Sequence, residues 1–299
     1  MKKSELERIE NLIAPFRITK GKDFSLKDFD PGDTGDLKSD DKAEAKEMQA
    51  AGVSWLAEQQ DVLYAQDRWA LLLVFQAMDA AGKDGTIKHL ASGINPQGCE
   101  VTSFKQPSAE ELDHDYLWRH MQYVPGRGQI GIFNRSYYEE VLVVKVHPEI
   151  LAREKLPASL VTNDIWSERY EDIASFERYL TRNGVRILKF FLHVSKEEQK
   201  RRFLERLDEP EKNWKFQSGD VAERAHWVEY HDAYEQAIRN TASKHAPWYV
   251  VPADNKWFTR LVVLSAVIKA IADLELTYPK ISAEEKTELA AARARLEAE

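Results

Sequence analysis

Residues 69 to 75 read Trp69-Ala70-Leu71-Leu72-Leu73-Val74-Phe75, an almost unbroken apolar run. A strand buried on both faces reads this way. The predicted strand is 69–76, and runs of the same kind recur at 100–104, 129–133, 185–194 and 247–252. The segments 83–94, 108–122, 136–147, 164–183, 196–207 and 254–275 lie between or beyond these runs, and their patterns predict helices. An earlier helix is predicted over 41–66, where Met48, Ala51, Trp55, Leu56, Val62 and Leu63 return at helical spacing. Strands alternating with helices predict βαβ crossovers, hence an α/β fold with a mainly parallel sheet. Three segments stand outside this alternation. Residues 1–40 are polar, with Asp30-Pro31-Gly32 and Asp33-Thr34-Gly35 turn signals, and read as an arm that wraps the body or hangs free. Residues 208–245 open on Asp208-Glu209-Pro210 and continue into two helical stretches, about 220–230 and 231–243. They read as a mobile lid or as a fixed helical layer. The tail 282–299 is rich in Ala, Glu and Arg and helical in propensity. The expected organisation is therefore an arm (1–40), a main domain (41–281, with 208–245 inserted) and a helical tail (282–299).

The candidate chemistry sits where the first strand ends. Asp79-Ala80-Ala81-Gly82-Lys83-Asp84-Gly85 joins that strand to a helix. In a phosphate-binding loop, backbone N–H groups and the helix N-terminus face an anion and a lysine adds charge. The fit to G-x-x-x-x-G-K-S/T is imperfect: Ala77 stands for the first glycine and Asp84 for the hydroxyl residue that would hold magnesium. The other reading of the segment is an ordinary βα turn. Asp79 can hold Mg²⁺ bridging to phosphate oxygens, or it is a turn residue accepting backbone N–H bonds.

Phe133-Asn134-Arg135-Ser136-Tyr137-Tyr138-Glu139-Glu140 follows the strand 129–133, at the sheet edge where open α/β sheets bind ligands. Asn134 stands where a metal-binding carboxylate is expected and brings a carbonyl oxygen without charge. Arg135 is placed to neutralise a transferring phosphoryl group, and Glu139 and Glu140 follow. The plainer reading is a helix start capped by Asn134 or Ser136, which is compatible with function. Lys105, in Phe104-Lys105-Gln106-Pro107-Ser108, lies at the same edge as a phosphate or nucleotide contact or as a surface lysine. Arg178 with Arg182, and Arg202 with Arg206, are i, i+4 pairs that share a helix face and either line an anion channel or lie on solvated faces.

Composition narrows this picture. The formal net charge of −8 over 299 residues argues against a general nucleic-acid coat while leaving room for a local anion site. One cysteine, Cys99, excludes an intrachain disulfide and suits a reducing cytoplasm. No apolar h-region follows Met1, and no apolar stretch is long and uncharged enough for a membrane span, so neither a secretory signal nor a membrane association is expected. The eight histidines show no metal-ligand spacing, and neither a nucleophilic Cys/His pair nor a G-x-S-x-G elbow is present.

Taken together, these motifs resemble the polyphosphate kinase 2 family. The resemblance is carried by Asp79 to Gly85, Phe104 to Ser108, Asn134 to Glu139, Trp214-Lys215-Phe216 and Ala246 to Lys256, in order across about residues 40–275. It implies a three-layer P-loop kinase fold related to thymidylate kinase, with helices on both sheet faces and a helical lid. It implies reversible phosphoryl transfer between inorganic polyphosphate and nucleotides with Mg²⁺, in an assembly of several copies. Residue by residue, it implies Asp79 as a metal ligand, with Asn134 and Glu139 beside it. It also implies Lys83 and the loop Ala80, Ala81, Gly82, Asp84 and Gly85 on phosphate, Arg135 as transition-state stabiliser, and Arg202 and Arg206 on the polyphosphate chain. Asn134 replaces the Asp of many members, and the Asn-Arg-Ser-Tyr-Tyr-Glu form looks like the class III branch, which phosphorylates nucleoside mono- and diphosphates, AMP or ADP and GMP or GDP.

Physical chemistry agrees with such a donor. A polyanion needs a basic groove and binds more weakly as salt rises. Phosphoryl transfer is mostly alignment and charge stabilisation, and an acceptor that is already a phosphate anion needs no strong base. Two further readings remain open: an ATP-dependent kinase on the same scaffold, against which Asp84 counts, and a non-catalytic polyphosphate- or nucleotide-binding module, which Asn134 favours.

Overall fold

The computed structural model describes residues 1–215 and 218–299, the side chains of Ser39, Lys215 and Ser218 excepted. Phe216 of the Trp214-Lys215-Phe216 motif, and Gln217 within 208–245, lie outside the described residues. Among the described residues the elements run α1 (Lys3–Ile13), β1 (Arg17–Ile18), α2 (Lys42–Gln66), β2 (Ala70–Ala77), α3 (Lys83–Leu90), β3 (Cys99–Ser103), α4 (Trp118–Met121) and β4 (Ile130–Asn134). They continue α5 (Val143–Val146), α6 (Ile165–Arg182), β5 (Val185–His193), α7 (Lys196–Asp208), α8 (Ser218–Glu223), α9 (Trp227–Thr241), β6 (Trp248–Pro252), α10 (Lys256–Ala272) and α11 (Ala283–Glu297).

The strands form one sheet in the order β1-β6-β5-β2-β4-β3. All neighbours are parallel except β1, which pairs antiparallel with β6. β2 sits in the interior of the sheet, and Ala70 to Gln76 are all buried, as a strand covered on both faces requires. Helices cover the sheet in two groups. α10 packs with α1, α2 and α3, and α6 packs with α9, which also meets α5. After β2 the chain runs out to the edge strand β3, returns to β4 beside β2, then crosses to β5 on β2's other side. The loops leaving β2 and β4 therefore open where the connections diverge, the place where parallel sheets take ligands.

The N-terminal segment wraps the body. Ile13, Phe16, Phe24 and Leu26 are buried, Arg239 Nε donates to the Phe24 carbonyl at 2.6 Å, and Leu26 N–H donates to Glu235 at 2.9 Å. A Cβ at Gly21 would lie 1.9 Å from the Arg239 carbonyl oxygen, so only glycine lets the two backbones meet there. Two predicted helices are shorter than their patterns suggest. The Ser108–Glu111 capping box forms, but the segment 108–122 contains only a 3₁₀ turn and α4. The segment 136–147 is a 3₁₀ turn, Tyr137–Val141, followed by α5.

Candidate active site

The loop after β2 is folded by its own backbone. Ala80 has φ of 59° and Gly82 φ of 104°, left-handed values that glycine takes freely and alanine at a cost of about 1 kcal/mol. Gly82 caps α3, and its carbonyl accepts from Thr86 N–H at 3.0 Å. The first-turn N–H groups of α3 have no intrahelical acceptor and face the space above the loop. Lys83, the first residue of α3, folds back so that Nζ donates to the Ala77 carbonyl at 2.8 Å. Burial, with the nearby Arg135 guanidinium second, pulls its ammonium down to about 8.

Arg135 stands across from this loop, also left-handed with φ of 64°. Its N–H donates to the Phe75 carbonyl, tying it to the end of β2. The guanidinium lies between two carboxylates: Nη2 donates to Asp79 Oδ1 at 3.2 Å and Nη1 to Glu139 Oε2 at 3.3 Å. Glu139 is fixed on its other oxygen by the buried Gln76 amide at 3.0 Å. The two departures from the ATP-type loop meet each other: Asn134 Nδ2 donates to Asp84 Oδ1 at 2.9 Å. A carboxylate at position 134 would face Asp84 charge to charge, whereas the amide satisfies it.

What holds Arg135 and Glu139 in place lies beneath them. Ser136 caps the following turn, accepting from Tyr138 N–H. Tyr137 and Tyr138 point into the core, and both hydroxyls donate to Glu177 Oε1, at 3.0 and 2.8 Å. Glu177 Oε2 receives Lys189 Nζ at 2.6 Å, and Lys189 also donates to the Tyr138 hydroxyl and the Thr241 carbonyl. A fully buried ion pair thus anchors the motif from below. A second buried cluster flanks it, with Arg169 donating to Glu140 at 3.2 Å and to Glu154 at 2.5 Å. Burial, then the Glu154 carboxylate, pushes Glu140 up to about 8.

Two cavities open at this edge. The first, about 750 Å³, is floored by Asp79 to Gly85 and walled by Lys105, Arg135, Arg206, Lys212, Lys256 and Arg260. The second, about 560 Å³, is more apolar, with Phe104, Leu112, Val143, Val144 and Ile150 alongside Tyr116 and His120. Burial drives the His120 imidazole down to about 3, so it is neutral. Phe104, Lys105, Gln106 and Arg135 line both cavities. Arg135 therefore stands at the junction of a basic chamber and an apolar one.

The structure gathers Asp79, Ala80, Ala81, Gly82, Lys83, Asp84, Gly85, Lys105, Asn134, Arg135 and Arg206 in the first cavity, and Glu139 borders the second. Arg206 pairs with Asp220, which also lines this cavity, at 3.6 Å. Two expectations need correction. Arg178 and Arg182 do not join this site: they lie near the C-terminal end of α6, next to the start of β5, whereas the site is at the strands' C-terminal ends. Arg202 borders the cavity, yet its guanidinium is engaged throughout. Nε donates to Glu198, Nη1 to the Ala80 and Ala81 carbonyls, and Nη2 to the Ala253 and Asp254 carbonyls. With its five donors used, Arg202 braces the loop and has none left for a phosphate. Conversely, Lys212, Lys256 and Arg260 were not anticipated in the wall. Lys256 and Arg260 are an i, i+4 pair at the start of α10, the same signal that singled out the other arginines.

Among the described residues no group of three or more His, Cys, Asp or Glu side chains could hold a metal ion by itself, and no helix is long and apolar enough to cross a membrane.

Comparison with known proteins agrees with this geometry. Residues 37–279 match the family model described as polyphosphate kinase 2. An ADP-polyphosphate phosphotransferase of Rhodopseudomonas palustris is 52% identical over 251 residues, covering 84% of this chain and 87% of that one. An AMP/ADP-polyphosphate phosphotransferase of Meiothermus ruber is 45% identical over 265 residues, covering 89% and 95%. The crystal structure of polyphosphate kinase 2 from Arthrobacter aurescens TC1 superposes with a TM-score of 0.83 at 39% identity, covering 94% of this chain and 96% of that one. The chain belongs to the polyphosphate kinase 2 family.

Proposed function

From that membership we propose that the chain moves a phosphoryl group between inorganic polyphosphate and nucleoside mono- or diphosphates, AMP and ADP among them and GMP and GDP as well. The observation that carries the reading is Arg135 at the junction of the two cavities. The basic first cavity suits the polyphosphate chain, held by the loop amides, Lys83, Lys105, Arg206 and the α10 pair Lys256 and Arg260. The more apolar second cavity suits the nucleoside, with its phosphate directed at Lys105 and Arg135.

Arg135 is bonded to Asp79 and Glu139 without substrate. An arriving phosphate competes for the guanidinium, which then lies on the equatorial oxygens of the group in transit. That exchange frees the Asp79 carboxylate for a divalent cation, Mg²⁺ in this reading. Asp79, Glu139 and the Asn134 carbonyl oxygen fit such an ion, because Mg²⁺ takes one or two carboxylates and completes its shell with substrate phosphates and water. When bound, Mg²⁺ supplies neutralising charge between phosphate oxygens. Lys83 and Arg135 align donor and acceptor, and no protein base is needed, since the acceptor oxygen is already anionic. Of the 208–245 segment, the α8 region (residues 218–226) would act as the lid over this junction, supported by the Arg206–Asp220 pair that lines the first cavity, while α9 is a helical layer packed on α6. Assembly into a homo-oligomer is supported by α11, on which no described residue is buried. Polyphosphate and nucleotides, rather than nucleic acid or a membrane, are the partners in this reading, and the cytoplasm is its setting.

The test supplies the purified protein with polyphosphate, Mg²⁺ and each of AMP, ADP, GMP and GDP, with no ATP present. New di- or triphosphate is expected with at least the adenine acceptors. Its absence with all four sinks the reading.

A further inference from the structure

Three successive carbonyls of the phosphate loop point the same way. The Asp79 carbonyl accepts from Gln199 Nε2 at 2.9 Å, and the Ala80 and Ala81 carbonyls accept from Arg202 Nη1 at 3.0 and 2.8 Å. Gln199 and Arg202 are one turn apart on α7, so one helix face sets the orientation of three peptide planes. Arg202 is itself locked by Glu198 and by the carbonyls before α10. Gln199 has a different second partner: its Oε1 accepts from Arg224 Nη1 at 2.5 Å. Arginine only donates, so this bond fixes the amide with its oxygen toward Arg224 and its nitrogen toward the loop. Arg224 follows α8, in the segment inserted between α7 and β6, and also donates to the Lys196 carbonyl. It borders neither cavity, and its bond to Gln199 connects it to the loop. The neighbouring Glu223 is bonded by His147 and Tyr230, which joins Arg224 to the wall of the second cavity.

We propose that Gln199 is a positioning residue that couples the α8 region, residues 218–226, to the phosphate loop through the chain Arg224, Gln199, Asp79 carbonyl. When Arg224 is docked, the Gln199 amide is held and the loop keeps the turned conformation in which its N–H groups face the anion. When the α8 region lifts, Gln199 loses its acceptor-side anchor and the Asp79 peptide is freed to rotate. The coupling deepens the reading of this loop as the polyphosphate site and rests on it for its functional meaning. The hydrogen bonds themselves stand apart from that reading.

The test is amide hydrogen exchange on the full chain, without substrate, for wild type, Arg224→Ala, Arg224→Lys, Gln199→Met and the Arg224→Ala/Gln199→Met double variant. Expected is exchange several-fold faster across residues 78–88 in Arg224→Ala, with β2 unchanged, because a local brace is lost and the core is not. Arg224→Lys, which still donates, restores protection. In the Gln199→Met background the Arg224 change adds nothing. Unchanged exchange at 78–88 in Arg224→Ala, or additive effects, overturns the coupling. Should Gln199→Met fail to fold, the Ala and Lys variants at 224 decide alone. In parallel, kcat/KM for polyphosphate is expected to fall about tenfold in Arg224→Ala and to recover in Arg224→Lys, the scale of one charge-assisted hydrogen bond. Altered exchange in a protein that transfers nothing from polyphosphate would leave the coupling standing and remove the proposed function.

Discussion

Burial lowers the ammonium pKa of both Lys83 and Lys189, although Lys83 is half-buried and Lys189 fully so. They differ in what surrounds the charge. Lys189 gives its three protons to Glu177, the Tyr138 hydroxyl and the Thr241 carbonyl, and none of its side chain is exposed. Among the described residues Lys83 has one bond, to the Ala77 carbonyl, and it borders an open basic cavity. A lysine with every donor matched serves the fold, while one with donors to spare and a charged chamber in front of it is the one we propose for phosphate binding. The same contrast separates Arg202, saturated by carbonyls, from Arg135, held loosely at 3.2 and 3.3 Å between two carboxylates that a phosphate can displace.

Replacement should break the comparison most sharply on the chemical side. Asp79→Ala is expected to abolish transfer, and Arg135→Ala to lower kcat about 10³-fold, the scale of a transition-state arginine. Both should leave the melting temperature near that of wild type, because Asp79 and Arg135 are each about a third or more exposed at the side chain. Full activity in Asp79→Ala would remove its metal role. On the structural side the effects invert. Lys189→Met leaves Glu177 buried without its counter-ion and should cost about 3–5 kcal/mol in denaturant unfolding. Its kcat per folded molecule should fall far less than in Arg135→Ala, since Tyr137, Tyr138, Glu177 and Lys189 support the motif from below and line neither cavity.

These outcomes bear on how far the sequence could be read. The apolar run of β2, the glycine and lysine after it, and Asn134-Arg135 at the end of β4 were legible, because continuous burial and a loop at a parallel strand's end leave few alternatives. Lys189 was not, since it sits inside an apolar run with no sign of its partner Glu177 on a different element. Arg178 and Arg202 show the same limit from the other side. Helical spacing says that two arginines share a face, but which end of the sheet that face reaches depends on the tertiary path. The two-residue strand β1 and the turn 137–141 escaped because their stability comes from Tyr249 and Trp248 opposite β1, and from Glu177 beneath the turn, rather than from local pattern.

A smaller effect sharpens the contrast through pH. The folded Lys83 pKa, about 8, lies below the ordinary 10.5, and the protonated form is the one that binds a polyanion. Above pH 8 the charged fraction falls tenfold per unit, so KM for polyphosphate should rise with pH from about 8 upward, and Lys83→Gln should flatten that rise. Stability moves oppositely: between pH 8 and 10.5 the unfolded chain holds more protons, so the Lys83 contribution to ΔG of unfolding rises with pH. A pH-independent KM up to pH 10 would mean Lys83 keeps its charge by another route. Smallest of all, Arg178→Ala and Arg182→Ala should change kcat and KM by less than about twofold, since exposed substitutions away from a site rarely do more; a larger loss would return them to the phosphate path.

In the proposed reaction a phosphoryl group leaves polyphosphate in the basic cavity and reaches a nucleotide across Arg135. Phosphorus NMR of the protein with polyphosphate, ADP and Mg²⁺ follows both species at once. In wild type the β-phosphate signal of ATP should grow as terminal polyphosphate is consumed, with none in Arg135→Ala on the same timescale. Wild-type spectra that stay unchanged, or an Arg135→Ala protein that makes ATP at the wild-type rate, would contradict it.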